Sequence, residues 1–202
     1  QKKFFESVVA DYESIAGETA DDLESRKSIA CAAYRTAYMH WRLGRPEAAR
    51  RQFDRAGELY KGLLEAETNS LEIRQGLARC LHYDAALHAD RGEPVEADRL
   101  YRQVIALREE LTLAYPDRLD LKEELSRSIQ NLGIQRGQIG GYAEARDMAR
   151  RAVALERELV EARPNDLFYR LALGRTSLNL ANDLADLGEL EEAEAIYLDS
   201  LN

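Results

Sequence analysis

Apolar and small side chains recur along this chain at spacings near three and four residues, as at Leu71, Leu77, Leu81, Ala85 and His88. An amphipathic helix turns such a stripe toward a core, and no segment keeps the two-residue alternation with flanking turn residues that marks a strand. A second stripe runs through Ala97, Tyr101, Val104, Leu107 and Leu111. Between the two stands Gly92, suited to the left-handed conformation of a helix C-cap, and then Pro94, whose missing amide costs nothing in the first turn of a helix. The pattern predicts two helices, A and B, joined by a tight turn.

The same pattern returns along the whole chain. Gly44, Gly92, Gly140 and Gly188 are 48 residues apart, and each is followed five residues on by an alanine: Ala49, Ala97, Ala145 and Ala193. The third position of the unit reads Leu23, Leu71, Leu119, Leu167, and the ninth reads Ile29, Leu77, Leu125, Leu173. The first reads Asp21, Asn69, Asp117, Asn165, residues expected to cap helix A, with Glu24, Glu72 and Asp120 as acidic first-turn partners. Helix B is expected to stop before Pro116 and Pro164, which puts all four prolines of the chain at hinges.

At this period the full repeats are 21–68, 69–116 and 117–164, with a partial one at 165–202 and the end of a preceding one at 1–20. A single helical hairpin cannot bury its own stripe, so neighbours must stack. The expected fold is all-α: an α-solenoid, a right-handed superhelix of stacked antiparallel helix pairs, forming one domain over 1–202. Both ends cut through helix B, so the chain reads as an excerpt of a larger protein, without the polar caps a solenoid normally carries. Phe4, Phe5, Val8 and Val9 are expected to leave apolar surface open, and end-to-end self-association to follow.

Composition narrows the function. The 202 residues carry 28 basic and 37 acidic side chains, a net charge of −9 that argues against a typical nucleic-acid binder. No apolar run approaches the roughly 20 residues that cross a bilayer, the N-terminus lacks the order of a signal peptide, and two cysteines make no disulfide framework. A cytoplasmic, reducing location is the expectation. His40, His82 and His88 do not follow a zinc-ligand spacing and read as packing residues on helix A; Cys31 and Cys80 read as small hydrophobes. The glycines are repeat punctuation, not a phosphate loop, and no nucleophile–base pair is evident. No catalytic residue, metal or cofactor is expected.

The glycine, the alanine five on, the aromatic four further (Phe53, Tyr101, Tyr197) and the small or apolar residue three beyond (Ala56, Val104, Ala152, Ser200) resemble the tetratricopeptide repeat. Leu132-Gly133 and Leu180-Ala181 resemble its large–small pair in helix A, and Ala149 stands where the third repeat would carry the aromatic. The usual unit is about 34 residues. The additional residues, divided between the helices, amount to about two turns each and leave the stripe within about 20° of its phase. The nearest resemblance is to the long arrays attached to some bacterial serine/threonine protein kinases, with the kinesin light chain type more distant.

The resemblance implies that helix A lines a concave groove. The helix A positions opposite the apolar stripe hold Tyr34, Arg35 and Tyr38; Arg79, His82 and Tyr83; Arg127, Gln130 and Asn131; and Arg175, Asn179 and Asn182. One column reads Cys31, Arg79, Arg127, Arg175, and its guanidinium forks suit a carboxylate-bearing peptide or protein, while Asn and Gln suit a peptide backbone. Equally, Glu123 stands four residues before Arg127 and can neutralise it within the helix. The expected function is a non-enzymatic protein-interaction scaffold, a regulatory or recognition region of a larger bacterial signalling protein. The alternatives are a structural spacer or self-association module with no groove ligand, and an enzyme, for which the sequence supplies no site.

Overall fold

The computed structural model describes residues 2–18 and 21–199, and the side chains of Phe4, Phe5 and Val8 lie outside the described ones. All regular structure among the described residues is helical: α1 (Lys2–Gly17), α2 (Leu23–Arg42), α3 (Pro46–Ala66), α4 (Leu71–Asp90), α5 (Pro94–Ala114), α6 (Leu119–Gln138), α7 (Tyr142–Ala162), α8 (Leu167–Asp186) and α9 (Leu190–Asp199). Helix A of successive repeats is α2, α4, α6 and α8, and each begins 48 residues after the last. Pro46 and Pro94 open α3 and α5, and α5 and α7 end before Pro116 and Pro164.

The turn from helix A to helix B has the same construction four times. Gly44, Gly92, Gly140 and Gly188 take φ of 68°, 72°, 83° and 80°, which side chains bearing a Cβ rarely adopt. At the first, Gly44 N donates to Trp41 O at 3.0 Å and Arg45 N to His40 O at 2.9 Å, so the last carbonyls of α2 are satisfied by a reversed pair of bonds; the other three turns reproduce it.

The N-caps fall one residue later than the sequence pattern predicts. Asp22 accepts from Ser25 N at 2.9 Å and Asp166 from Phe168 N at 3.0 Å, while Ser70 and Arg118, at the same place, make no side-chain cap bond. Helix A begins at the third position of the unit, so the extended residue just before it is the one whose short carboxylate meets the first-turn amides. The Ser25 amide holds the Asp22 carboxyl below its usual range.

The chain forms two compact units, 1–107 and 108–202, divided within α5. In the first, the α2–α3 hairpin packs against α1 and α4. Val9, expected to be open, is buried here. Its core has an aliphatic part around Ala33, Leu63, Ile73 and Leu77, and an aromatic part in which Phe53, Ala37, Ala49 and Leu87 meet Tyr34, Tyr38, Trp41 and Tyr83. In the second, the α6–α7 hairpin packs against α8, and α8 against α9, around Ala149, Val153, Leu180, Leu184 and Ala193.

One slot of helix B is filled differently in each repeat. At equivalent places stand Tyr60, Arg108 and Glu156, all buried against the following helix A. Tyr60 lies over Gly76, where any Cβ would collide with its ring. Arg108 donates from Nη1 to Glu124 O and to Ser128 Oγ, each at 2.5 Å, with its Nη2 3.6 Å from the Glu124 carboxylate. Glu156 accepts from Ser126 Oγ at 3.0 Å and from Gln130.

Candidate functional site

The second unit holds a groove of about 390 Å³ between α6, α7 and α8. Ala145 and Ala149 of α7 form its floor, Gly133, Ile134 and Gly137 of α6 one wall, and Thr176, Asn179, Asn182, Asp183 and Asp186 of α8 the other, with Gln130, Gln138 and Tyr142 at its margins. The reason it is open lies in the repeat register. In the first unit the residue equivalent to Ala149 is Phe53, which stacks on Tyr83 with ring centroids 5.3 Å apart and planes 6° from parallel. The residue equivalent to Tyr83 in the second unit is Asn179. Replacing both rings of that stack by Ala149 and Asn179 removes the aromatic volume, and the groove occupies that position.

Gly133 lets α6 sit close on α7, and Gly137 faces Asp183 of α8 at ordinary contact distance. A Cβ on Gly137 would stand 3.4 Å from Asp183 Oδ1, and one on Gly133 3.1 Å from the Met148 Cβ. Asp183 is half-buried, and no cation or hydrogen-bond donor among the described residues meets its carboxylate. Burial, and then the neighbouring Asp186, push its pKa up to about 6. The nearby arginines are committed elsewhere: Arg136 to Glu144 at 3.2 Å, Arg146 to Glu189 at 2.6 Å.

Three of the residues singled out in the sequence meet in this groove: Gln130, Asn179 and Asn182. Asn182 accepts from Tyr197 Oη at 2.6 Å through its carbonyl, and the buried Gln130 donates to Glu156 and, at 3.1 Å, to Ser126. Asn131 is half-buried and does not line the groove. Arg127 pairs with Glu123 within α6, and the exposed Arg175 acts electrostatically on Glu156, whose carboxyl burial pushes above its usual range.

The others belong to the first unit. Tyr34, Tyr38 and Tyr83 pack against the aromatic core, Tyr83 lying 6.2 Å from Tyr34 and 5.4 Å from Tyr38. His82 is buried, edge-on to Tyr83 and Tyr101. Arg79 is half-buried beside Tyr60 and Cys80. Arg35 lines a recess of about 300 Å³ with Cys31 and donates to Tyr12 Oη at 2.6 Å; that bond, then the Cys31 sulfur, raises its pKa. Cys80 is buried and Cys31 partly so, and both are free thiols. His40 bonds Glu13 at 3.0 Å, and His88 bonds Glu93. Among the described residues no group of three His, Cys, Asp or Glu side chains could hold a metal ion, and no helix is long and apolar enough to cross a membrane.

Family models described as "Tetratricopeptide repeat" match residues 77–112, 174–202 and 32–55. Those three stretches match tetratricopeptide repeats. Solved structures agree with that fold. The apo form of RapI is 17% identical with a TM-score of 0.73, over 98% of this chain and 64% of that one. A putative kinesin light chain with nearly identical TPR-like repeats from Podosopora anserina is 19% identical with a TM-score of 0.58, over 98% of this chain and 82% of that one. The Rap conjugation gene regulator of the plasmid pLS20, solved in complex with the Phr* peptide, is 16% identical with a TM-score of 0.62, over 99% of this chain and 48% of that one. This chain thus spans less than two thirds of RapI and about half of the plasmid regulator. No curated protein matches the sequence. The described helices share the fold of these repeat structures.

Sequence reasoning did not find Asp183 and Asp186. Position 19 of the unit reads Met39, Leu87, Gln135, Asp183, a drift from apolar to charged that was open to inspection. The Ala149 departure was visible too, but its meaning needed the stack it replaces.

Proposed function

We propose that this protein binds a peptide segment of a partner protein in the groove between α6, α7 and α8, as a recognition region of a larger signalling protein in the cytoplasm. One observation supports the reading: the space that Phe53 and Tyr83 fill in the first unit lies open in the second, beside the amide of Asn179. Side-chain amides can both donate to and accept from an extended backbone, and an apolar floor with a few polar groups is the usual composition of a ligand site. A protein of the same fold has been solved with a peptide bound, which agrees. The free thiols Cys31 and Cys80 suit a reducing compartment. The pairing of Arg127 with Glu123 leaves the carboxylate-bearing partner suggested by the arginines with less to rest on, and to that extent favours the spacer alternative for the arginine face.

A displayed library of random peptides, panned against this protein, tests the proposal. Enriched peptides should lose binding by at least about tenfold, or about 1.4 kcal/mol, when Ala149→Phe and Asn179→Tyr together restore the stack and close the groove. Circular dichroism confirms that the variant folds. Peptides that bind parent and closed variant alike would overturn the groove.

A further inference from the structure

Resting on that reading, we infer that the groove selects a peptide carrying a lysine or arginine next to an apolar side chain, with the apolar group against Ile134 and the cation between Asp183 and Asp186. The apolar half follows from the vacated ring position: Ala149 and Asn179 stand where Phe53 and Tyr83 stack in the first unit, and the groove that opens there has the exposed Ile134 on its wall. The basic half follows from charge. Two carboxylates of α8 line the groove, and no lysine or arginine does. The arginines around it pair with Glu123, Glu144 and Glu189. Asp183 is drawn partly out of water against Gly137 without a partner of its own, an arrangement that a ligand cation would relieve. The amide of Asn179 is placed to hold the backbone in between.

The panned peptides decide the question. Those whose binding Ala149→Phe abolishes should be enriched in Lys or Arg, and Asp183→Asn with Asp186→Asn should weaken them by at least about tenfold while sparing the fold, with a loss that shrinks as salt is raised. A groove-dependent set that is acidic or uncharged, unaffected by the aspartate changes, would overturn the basic specificity and leave the peptide groove standing. No groove-dependent set at all would overturn both. A set that is basic but insensitive to the aspartate changes would overturn the role of Asp183 and Asp186 and with it this inference.

Discussion

At the level of single residues, both units place carboxyl groups where water is scarce, Asp84 in the first and Glu156 and Asp183 in the second. Glu156 is buried with only hydroxyl and amide partners, and burial raises its pKa; Asp183 is pushed up to about 6. A raised folded-state pKa means that folding favours the protonated form. This stabilisation is therefore complete below the unfolded values near 4 and is lost as pH climbs toward 6 and beyond. Glu156→Gln keeps an acceptor for Ser126 and Gln130 and removes the buried charge. It should raise stability by about 1–2 kcal/mol at pH 7 and by almost nothing at pH 4, read from urea midpoints at the two values. A gain independent of pH would show that the charge is not the cause. In the first unit the sensitive residue is Gly76, because Gly76→Ala drives a methyl into the Tyr60 ring; a loss of about 1–3 kcal/mol is expected in the same assay. None of this was legible in advance, since the sequence shows that Glu156 falls on the stripe of α7 but not which side chains enclose it.

At the level of helices, the signals that act locally were the readable ones. Glycine at a left-handed turn and proline at a first turn work on their own backbone, and both fell where expected, whereas the cap was displaced by one residue because it depends on where the helix begins. Gly140→Ala, forced to φ of 83°, should cost about 1 kcal/mol in thermal unfolding. The slot occupied by Tyr60, Arg108 and Glu156 was hidden, because what suits it is decided by the next helix A. Arg108→Ala would take the guanidinium away from the buried Glu124 carboxylate and should cost about 3–5 kcal/mol. Arg108→Tyr with Glu124→Gly, which copies the Tyr60–Gly76 pairing, should recover most of that loss. If the paired variant melts no higher than Arg108→Ala, the slots are not interchangeable.

At the level of the whole molecule, a net charge of −9 competes with an exposed apolar stripe. Leu167, Leu171 and Leu178 of α8 are 65%, 64% and 41% exposed, and Gly174 between them leaves open space. Apolar area in register on one helix face favours association, while like charges on every copy oppose it and salt screens that opposition. Light scattering should show self-association that strengthens from low to moderate salt and that Leu171→Glu suppresses. Association that salt weakens would point to ion pairs and away from the stripe.

Trp41 is the only tryptophan of the chain, and it sits in the aromatic core of the first unit, 5.2 Å from the Tyr83 ring and 5.9 Å from Tyr38. Its fluorescence is thus a private signal of residues 1–107, and neighbouring tyrosines close enough to pass it their excitation make that signal sensitive to the packing of the core. Residues 108–202 unfold dark in this channel, so two optical readings taken in one cuvette separate events that a single melting curve would merge.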